Sequence, residues 1–295
     1  MIRLYPILIS VLLIFSSYSS PAFSQIDNYP YPDPILPDSL PLIFSRETIS
    51  LHDTYEEGIT FSPNADELFI TRSVKKDGNI ISSKIFTSKR SGNLWSSLVP
   101  ASFSSNTNES EPAFSADGKT LFFLSERNKP GITSYIGEVW MVKKTSGRWG
   151  QAEYPQNILN ETWINNVSST GTGKIYFSSY RNKKIGIYSA EYNKGQFGEP
   201  AFLPEEVNDI AGASNPFVSS DESIIVFEGK STGYNKSELY TSFRTSAGLW
   251  TPAHKLNEKV NQTGTESNPS LSPDGKFLFF TREGDIYWIR LEYVF

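Results

Sequence analysis

The chain contains no cysteine among its 295 residues and only two histidines, His52 and His254. The missing cysteine excludes a disulfide framework, a thiolate nucleophile and a thiolate-ligated zinc or iron–sulfur centre. Two histidines leave little from which to build a histidine-rich metal cluster, so neither metal nor cofactor is expected. An excess of positive charge is also missing. The 27 Lys and Arg face 32 Asp and Glu, for a net charge of −5, whereas nucleic-acid binders usually carry a basic face. No stretch keeps a 3.6-residue apolar period, so helix should be scarce. There is no Gly-x-Gly-x-x-Gly, no phosphate-binding loop and no Asp-x-Asp-x-Asp-Gly calcium loop. A serine hydrolase is disfavoured too: no Gly-x-Ser-x-Gly elbow exists, and no residues remain for the α/β domain that would carry one.

What is present is aromatic. The 20 Phe, 15 Tyr and 6 Trp make up 14% of the chain, enough for a large packed core. The first 24 residues read as an export signal, with Arg3, an apolar run from Ile7 to Phe15, and small residues at Ala22 and Ser24. That run is shorter than the roughly 20 residues a membrane-spanning helix needs. Cleavage is therefore expected after Ser24, in preference to a retained anchor, leaving a monomer with no transmembrane segment. An exported chain without cysteine suits a bacterial periplasm or secretion route. Residues 25–41 carry Pro30, Pro32, Pro34, Pro37 and Pro41. Proline fixes φ and removes donors, so an extended, poorly ordered tether is expected there.

One block recurs through the remainder. Its aligned positions are Phe61, Phe114, Ser168, Val218 and Leu271, separated by 53, 54, 50 and 53 residues. A second marker follows at Trp95, Trp149, Phe197 and Trp250, separated by 54, 48 and 53 residues. Each unit reads as a short strand, a tight turn such as Pro273-Asp274-Gly275, an apolar strand, an alternating strand, and a fourth strand opened by the Trp. Four strands per repeat of this length describe a blade of a β-propeller. The fifth copy stops after its third strand, and Leu42–Ile49 precedes the first copy without a blade of its own. The expected fold is therefore all-β: a five-bladed β-propeller over residues 42–295, closed by an N-terminal strand completing the last blade.

The phrase Glu266-Ser267-Asn268-Pro269-Ser270-Leu271-Ser272-Pro273-Asp274-Gly275-Lys276 resembles the WD40-like propeller repeat of TolB-type bacterial envelope proteins. Residues 57–72 and 109–127 resemble it nearly as well. The third copy departs from the pattern, with Thr170-Gly171-Thr172-Gly173 in place of Pro-Asp-Gly, and the fourth has Asp221-Glu222-Ser223. No separate N-terminal α/β domain of the kind that TolB-type proteins carry is expected within these residues. The resemblance implies a fold and a cell-envelope setting more than an activity.

Equal spacing should place matching residues in rings at one channel mouth. Five positions before the aligned residue stand Glu56, Glu109, Trp163, Ala213 and Glu266, and three before it stand Gly58, Glu111, Asn165, Asn215 and Asn268. The candidate ligand-binding set is Glu56, Glu109, Glu111, Trp163, Asn165, Asn215, Glu266 and Asn268, able to hold a cation, a sugar or a basic side chain of a partner. The same residues also suit plain backbone satisfaction at blade junctions. The expected role is a non-enzymatic binding or scaffold protein that meets an envelope protein or a cell-wall glycan at its rim and channel mouth. The alternative is a glycoside hydrolase, whose chemistry needs two flanking carboxylates, with Glu57, Glu109, Glu111 and Glu266 as candidates.

Overall fold

The computed structural model describes residues 31, 33, 35–52, 54–128, 138–155, 163–193, 196–230, 236–262 and 264–295. The signal segment 1–24 and much of the proline-rich stretch lie outside the described residues. The fold is the expected five-bladed propeller. Blade one runs Tyr55–Phe61, Glu67–Lys76, Asn79–Ser91 and Leu94–Trp95 from the axis outward. Blade two is Glu109–Phe114, Thr120–Ser125, Glu138–Thr145 and Arg148–Glu153. Blade three is Ile164–Ser169, Lys174–Arg181, Lys184–Asn193 and Gln196–Phe197. Blade four is Ser214–Val218, Ile224–Lys230, Ser237–Phe243 and His254–Lys255. Blade five is Glu266–Leu271, Phe277–Arg282 and Asp285–Arg290, and its outer strand is Leu42–Ile43. Helix among the described residues amounts to Glu205–Asn208 and a 3-10 turn, Leu291–Tyr293. None of these helices is long and apolar enough to cross a membrane.

The repeat has a mechanical reason. A blade is apolar on both faces and must stack on two neighbours. Five buried clusters fill the five wedges between blades. The marker aromatic of each blade packs back onto the second strand of the blade before it. Trp149 lies 5.6 Å from Phe69, Phe197 lies 6.0 Å from Phe122, and Trp250 lies 6.5 Å from Tyr176. Trp95 joins the wedge between blades five and one with Phe277 and Phe279. Blade five has no such aromatic, and Val294, turned in by the final 3-10 turn, fills the wedge against blade four. The outer strands are shorter than the sequence suggests. Blade four keeps only His254–Lys255 and an isolated bridge from Arg244 to Trp250.

The tight turns follow from serine and aspartate. Ser115, Ser219 and Ser272 each donate to the aspartate two residues on, at 2.6–2.7 Å, and accept the N–H that opens the second strand, at 2.9–3.1 Å. Glycine then takes the left-handed conformation at Gly118 and Gly275, both with φ 68°. Blade four places Glu222 there instead, at φ 59°. Its carboxylate accepts from Tyr176 and Thr172 of blade three and pairs with Arg244, contacts that offset the strained backbone.

Closure lies between the two ends of the chain. Leu42 pairs with Trp288 and Ile43 with Tyr287, antiparallel, and the Phe44 N–H donates to Ile286. Packing also reaches further back than the expected start at residue 42. Tyr31 is 1% exposed, edge-on to Phe61, Phe277 and Phe279, and its hydroxyl donates to Asp274. Asp33 accepts the Ser45 N–H at 2.6 Å, and Arg290 donates to the Pro37 carbonyl. The described part of the proline-rich stretch is thus docked on the propeller. The physical reason is the aromatic side chain set among the prolines.

Phe44 is fully buried between Phe61, Phe279 and Trp288. Phe44→Ala should cost about 3–5 kcal/mol in urea unfolding, while Leu249→Ala, at an exposed turn, should stay within about 0.5 kcal/mol of wild type.

Candidate functional site in the central channel

Each first strand begins with a β-bulge, where its pairing with the second strand shifts register. The bulge residues are Gly58, Glu111, Asn166, Asn215 and Asn268, with φ between 47° and 54°. This left-handed region suits glycine and asparagine and is unusual for glutamate. The turned-out N–H of each is taken up by the previous blade. Gly58 donates to Thr281 at 3.3 Å, Glu111 to Thr71 at 2.9 Å, Asn215 to Ser178 at 2.7 Å and Asn268 to Glu228 at 2.8 Å. The matching position of blade two is Leu124, which cannot accept. There the Glu111 carboxylate reaches across and accepts the Asn166 N–H itself. Four of the five bulge residues, Gly58, Glu111, Asn166 and Asn268, also line the channel.

The sequence reading places Asn165 and Trp163 in these rings, but the structure shifts blade three by one residue. Asn166 takes the bulge, and Ile164 takes the place matching Glu56, Glu109 and Glu266. The shift is invisible in sequence because blade three lacks the proline that follows the bulge in blades two, four and five. Asn165 still meets Asn215 across the blade boundary at 2.6 Å. Trp163 does not line the central cavity; its carbonyl accepts from Ser179.

Glu56, Glu109 and Glu266 are matched to one another but do not line the cavity. They are at most 1% exposed. Each pairs with an arginine on or just beyond the second strand: Arg72 at 3.0 Å, Arg127 at 2.9 Å and Arg282 at 2.9 Å. Those arginines also donate to the carbonyls of Ile49, Phe103 and Val260. They lie over Phe86, Phe123 and Phe280, with centroid distances of 5.0–5.3 Å. The geometry is that of three buried clamps joining an incoming loop to its blade.

Of three further buried carboxylates, Glu111 lines the cavity, while Glu57 and Glu228 lie outside that lining but close enough to act on its charge. Glu57 accepts from Ser73 at 3.3 Å, and Glu228 accepts from Asn215, Ser237 and the Asn268 N–H. Burial pushes the Glu111 carboxyl up to about 8, against the Asn166 N–H that favours its charge, and Glu228 and Glu57 add like charge. Burial also raises Glu57 and Glu228. Glu228 escaped the sequence reading because it sits on a second strand; its only signal is a carboxylate where other blades place Thr71, Leu124, Ser178 and Thr281. Among the described residues no group of three or more His, Asp or Glu is arranged to hold a metal ion.

Past the bulges the channel narrows to about 60 Å³, lined by Glu111, Asn166, Asn268, Phe114, Phe217 and Ser270 among others. That is room for a few waters, well below the roughly 300–1,000 Å³ of small-molecule sites. It opens on the turn side into a basin of about 690 Å³. Thr60, Phe114, Ser169, Phe217 and Ser270 line both spaces. Among the described residues the basin wall is hydroxyl and aromatic, holds no Lys, Arg or His, and has Asp221 and Asp274 as its acids. Both acids are engaged by turn serines, and the bond from Ser219 holds Asp221 below the usual carboxylate range. Ser270 Oγ is buried at 7% exposure with no hydrogen-bond partner. Its counterparts Thr60 and Ser168 accept N–H groups from Phe114 and Val218 of the next blade.

No protein-family profile matches this chain, and no curated protein matches it. Solved structures do. TolB of Acinetobacter baumannii is 16% identical with a TM-score of 0.45, covering 80% of this chain and 55% of its own. A structure described as putative TolB from Agrobacterium tumefaciens is 14% identical with a TM-score of 0.49, covering 78% of this chain and 70% of its own. An α-L-arabinofuranosidase from Podospora anserina, in complex with cellotriose, is 9% identical with a TM-score of 0.50, covering 86% and 97%. The strand order itself makes the chain a five-bladed propeller in fold. At these identities the likeness extends to architecture alone.

The clamp reading carries a stability prediction. Arg127→Met should destabilise the protein by about 3–5 kcal/mol, because it strands the Glu109 charge in the interior. Adding Glu109→Leu should recover most of that loss in chemical unfolding. If Glu109 instead serves a ligand, Arg127→Met alone leaves stability near wild type.

Proposed function

We propose that this is an exported, non-enzymatic binding module of the bacterial envelope whose partner or cell-wall ligand enters the turn-side basin. The observation that carries this reading is the basin itself. Its volume of about 690 Å³ falls in the range of ligand sites. Its wall offers hydroxyl groups and phenylalanine edges without a cation, which suits a neutral or weakly basic polar group and disfavours an anion. Hydrolysis of a glycoside needs two free carboxyl groups flanking the bond. The basin's two acids are committed to turns, and the buried Glu clamps face away from it. Glu111, a weakly acidic carboxyl below the floor of the basin, supports a second reading as a hydrolase, with one candidate acid and no evident second carboxylate. Export to the periplasm rests on the segment 1–24 and is part of the same proposal.

Pro273 is exposed at the basin wall. Pro273→Arg should weaken binding of purified cell-wall oligosaccharides, or of an envelope protein crosslinked to the basin, by tenfold or more, with the unfolding midpoint unchanged. Calorimetric titration and a thermal scan read the two quantities. Unaltered binding by Pro273→Arg would remove the basin from the proposal, and turnover of any oligosaccharide would favour the hydrolase.

A further inference from the structure

A chain of four side chains runs from blade two to blade four, starting at the channel: Glu111, Asn165, Asn215 and Glu228. Asn165 presents one amide atom to both Glu111 oxygens, at 2.8 Å from Oε1 and 3.0 Å from Oε2. Its other amide atom lies 2.6 Å from Asn215 Oδ1. Asn215 Nδ2 donates to Glu228 Oε1 at 2.6 Å and to Asn268 Oδ1 at 3.2 Å.

A side-chain amide has one donating and one accepting end, and an ionised carboxylate only accepts. Glu228 requires the donating end of Asn215. The Asn215 oxygen therefore faces Asn165, which must answer with its NH2 group. That leaves the Asn165 oxygen against Glu111. Turning either amide only moves the oxygen–oxygen contact one link along. Two charged carboxylates joined through two amides cannot all be satisfied, and one added proton removes the conflict.

We propose that Glu111 is a proton-binding site of the channel: one proton per chain rides on Oε1 and is donated to Asn165 Oδ1 at neutral pH. The 2.8 Å separation is the ordinary length of an O–H···O bond. The other oxygen, Oε2, remains free to accept the Asn166 N–H. With this proton in place every polar atom of the four-residue chain has a complementary partner. The charged groups acting on Glu111 are Glu228 and Glu57, both acidic, and both favour its neutral form. The cation in the neighbourhood is Lys75, which acts on Glu57 and rests its Nζ 3.1 Å from the Tyr55 ring centroid. Burial independently holds the Glu111 carboxyl at about 8.

The folded protein therefore keeps a proton that the unfolded chain gives up above its ordinary carboxyl value of 4.5. This contribution to stability is complete below pH 4.5, declines as pH rises toward about 8, and is gone above it. Glu111→Gln imitates the protonated group: its NH2 donates to Asn165 and its oxygen accepts from Asn166. Urea unfolding of the full chain between pH 5 and pH 9 should show a pH slope that is steeper in wild type by close to one proton near pH 6–7. Infrared spectra should show the carbonyl band of a neutral carboxyl in wild type at pH 7, lost by pH 9 and missing from Glu111→Gln. Equal slopes in the two proteins would overturn the proposal. If Glu111→Gln does not fold, the wild-type infrared titration decides alone, and absence of the band at pH 7 would overturn it.

Discussion

Ring closure is the constraint on which the rest of this molecule depends. Five wedge-shaped sheets bury both faces only if the fifth meets the first. The meeting is made by aromatic side chains from the two ends of the chain: Tyr31 and Phe44 against Phe277, Phe279 and Trp288, with Phe61 of blade one between them. Two backbone pairs, Leu42 with Trp288 and Ile43 with Tyr287, set the register of that meeting. A two-residue strand contributes little pairing alone. Its value lies in holding Phe44, and behind it Tyr31, in the wedge. The channel, the basin and the bulge ring exist because this seam is shut.

Repetition made the architecture legible before any coordinates. Two independent spacings, one from the strand-and-turn block and one from the marker aromatics, fix blade number, and the truncated fifth copy points to closure by the N-terminal strand. The marker aromatics also carry their own explanation, since Trp149, Phe197 and Trp250 each reach back to the preceding blade. The docked stretch around Tyr31 was hidden, because prolines dominate the local reading and a single buried tyrosine has no periodicity to announce it.

The site was legible only in part, for a physical reason. Sequence alignment matches residue types, whereas a channel is lined by residues that share a backbone position. In blade three the two differ by one residue, so Asn166 and not Asn165 holds the left-handed bulge. A ring of equal residues also does not reveal which way their side chains turn. Glu56, Glu109 and Glu266 are equivalent and conspicuous, yet each is consumed by an arginine on or just beyond the next strand. Glu228 is inconspicuous in an otherwise apolar strand, yet it accepts from Asn215 and from the Asn268 backbone and lies near enough to Glu111 to act on its charge.

These two sets of carboxylates divide the electrostatics of the propeller. The outer set is neutralised by arginine and stiffens the junction between loop and blade. The inner set meets amides and hydroxyls, which stabilise charge less than a guanidinium does. Burial therefore raises Glu57, Glu111 and Glu228 alike, like charge adds to it at Glu57 and Glu111, and Lys75 offsets part of it at Glu57. Such a wall favours whatever brings positive charge or a donated hydrogen and resists an anion. The proton proposed on Glu111 meets that demand from within, supplying the donated hydrogen where no arginine among the described residues does.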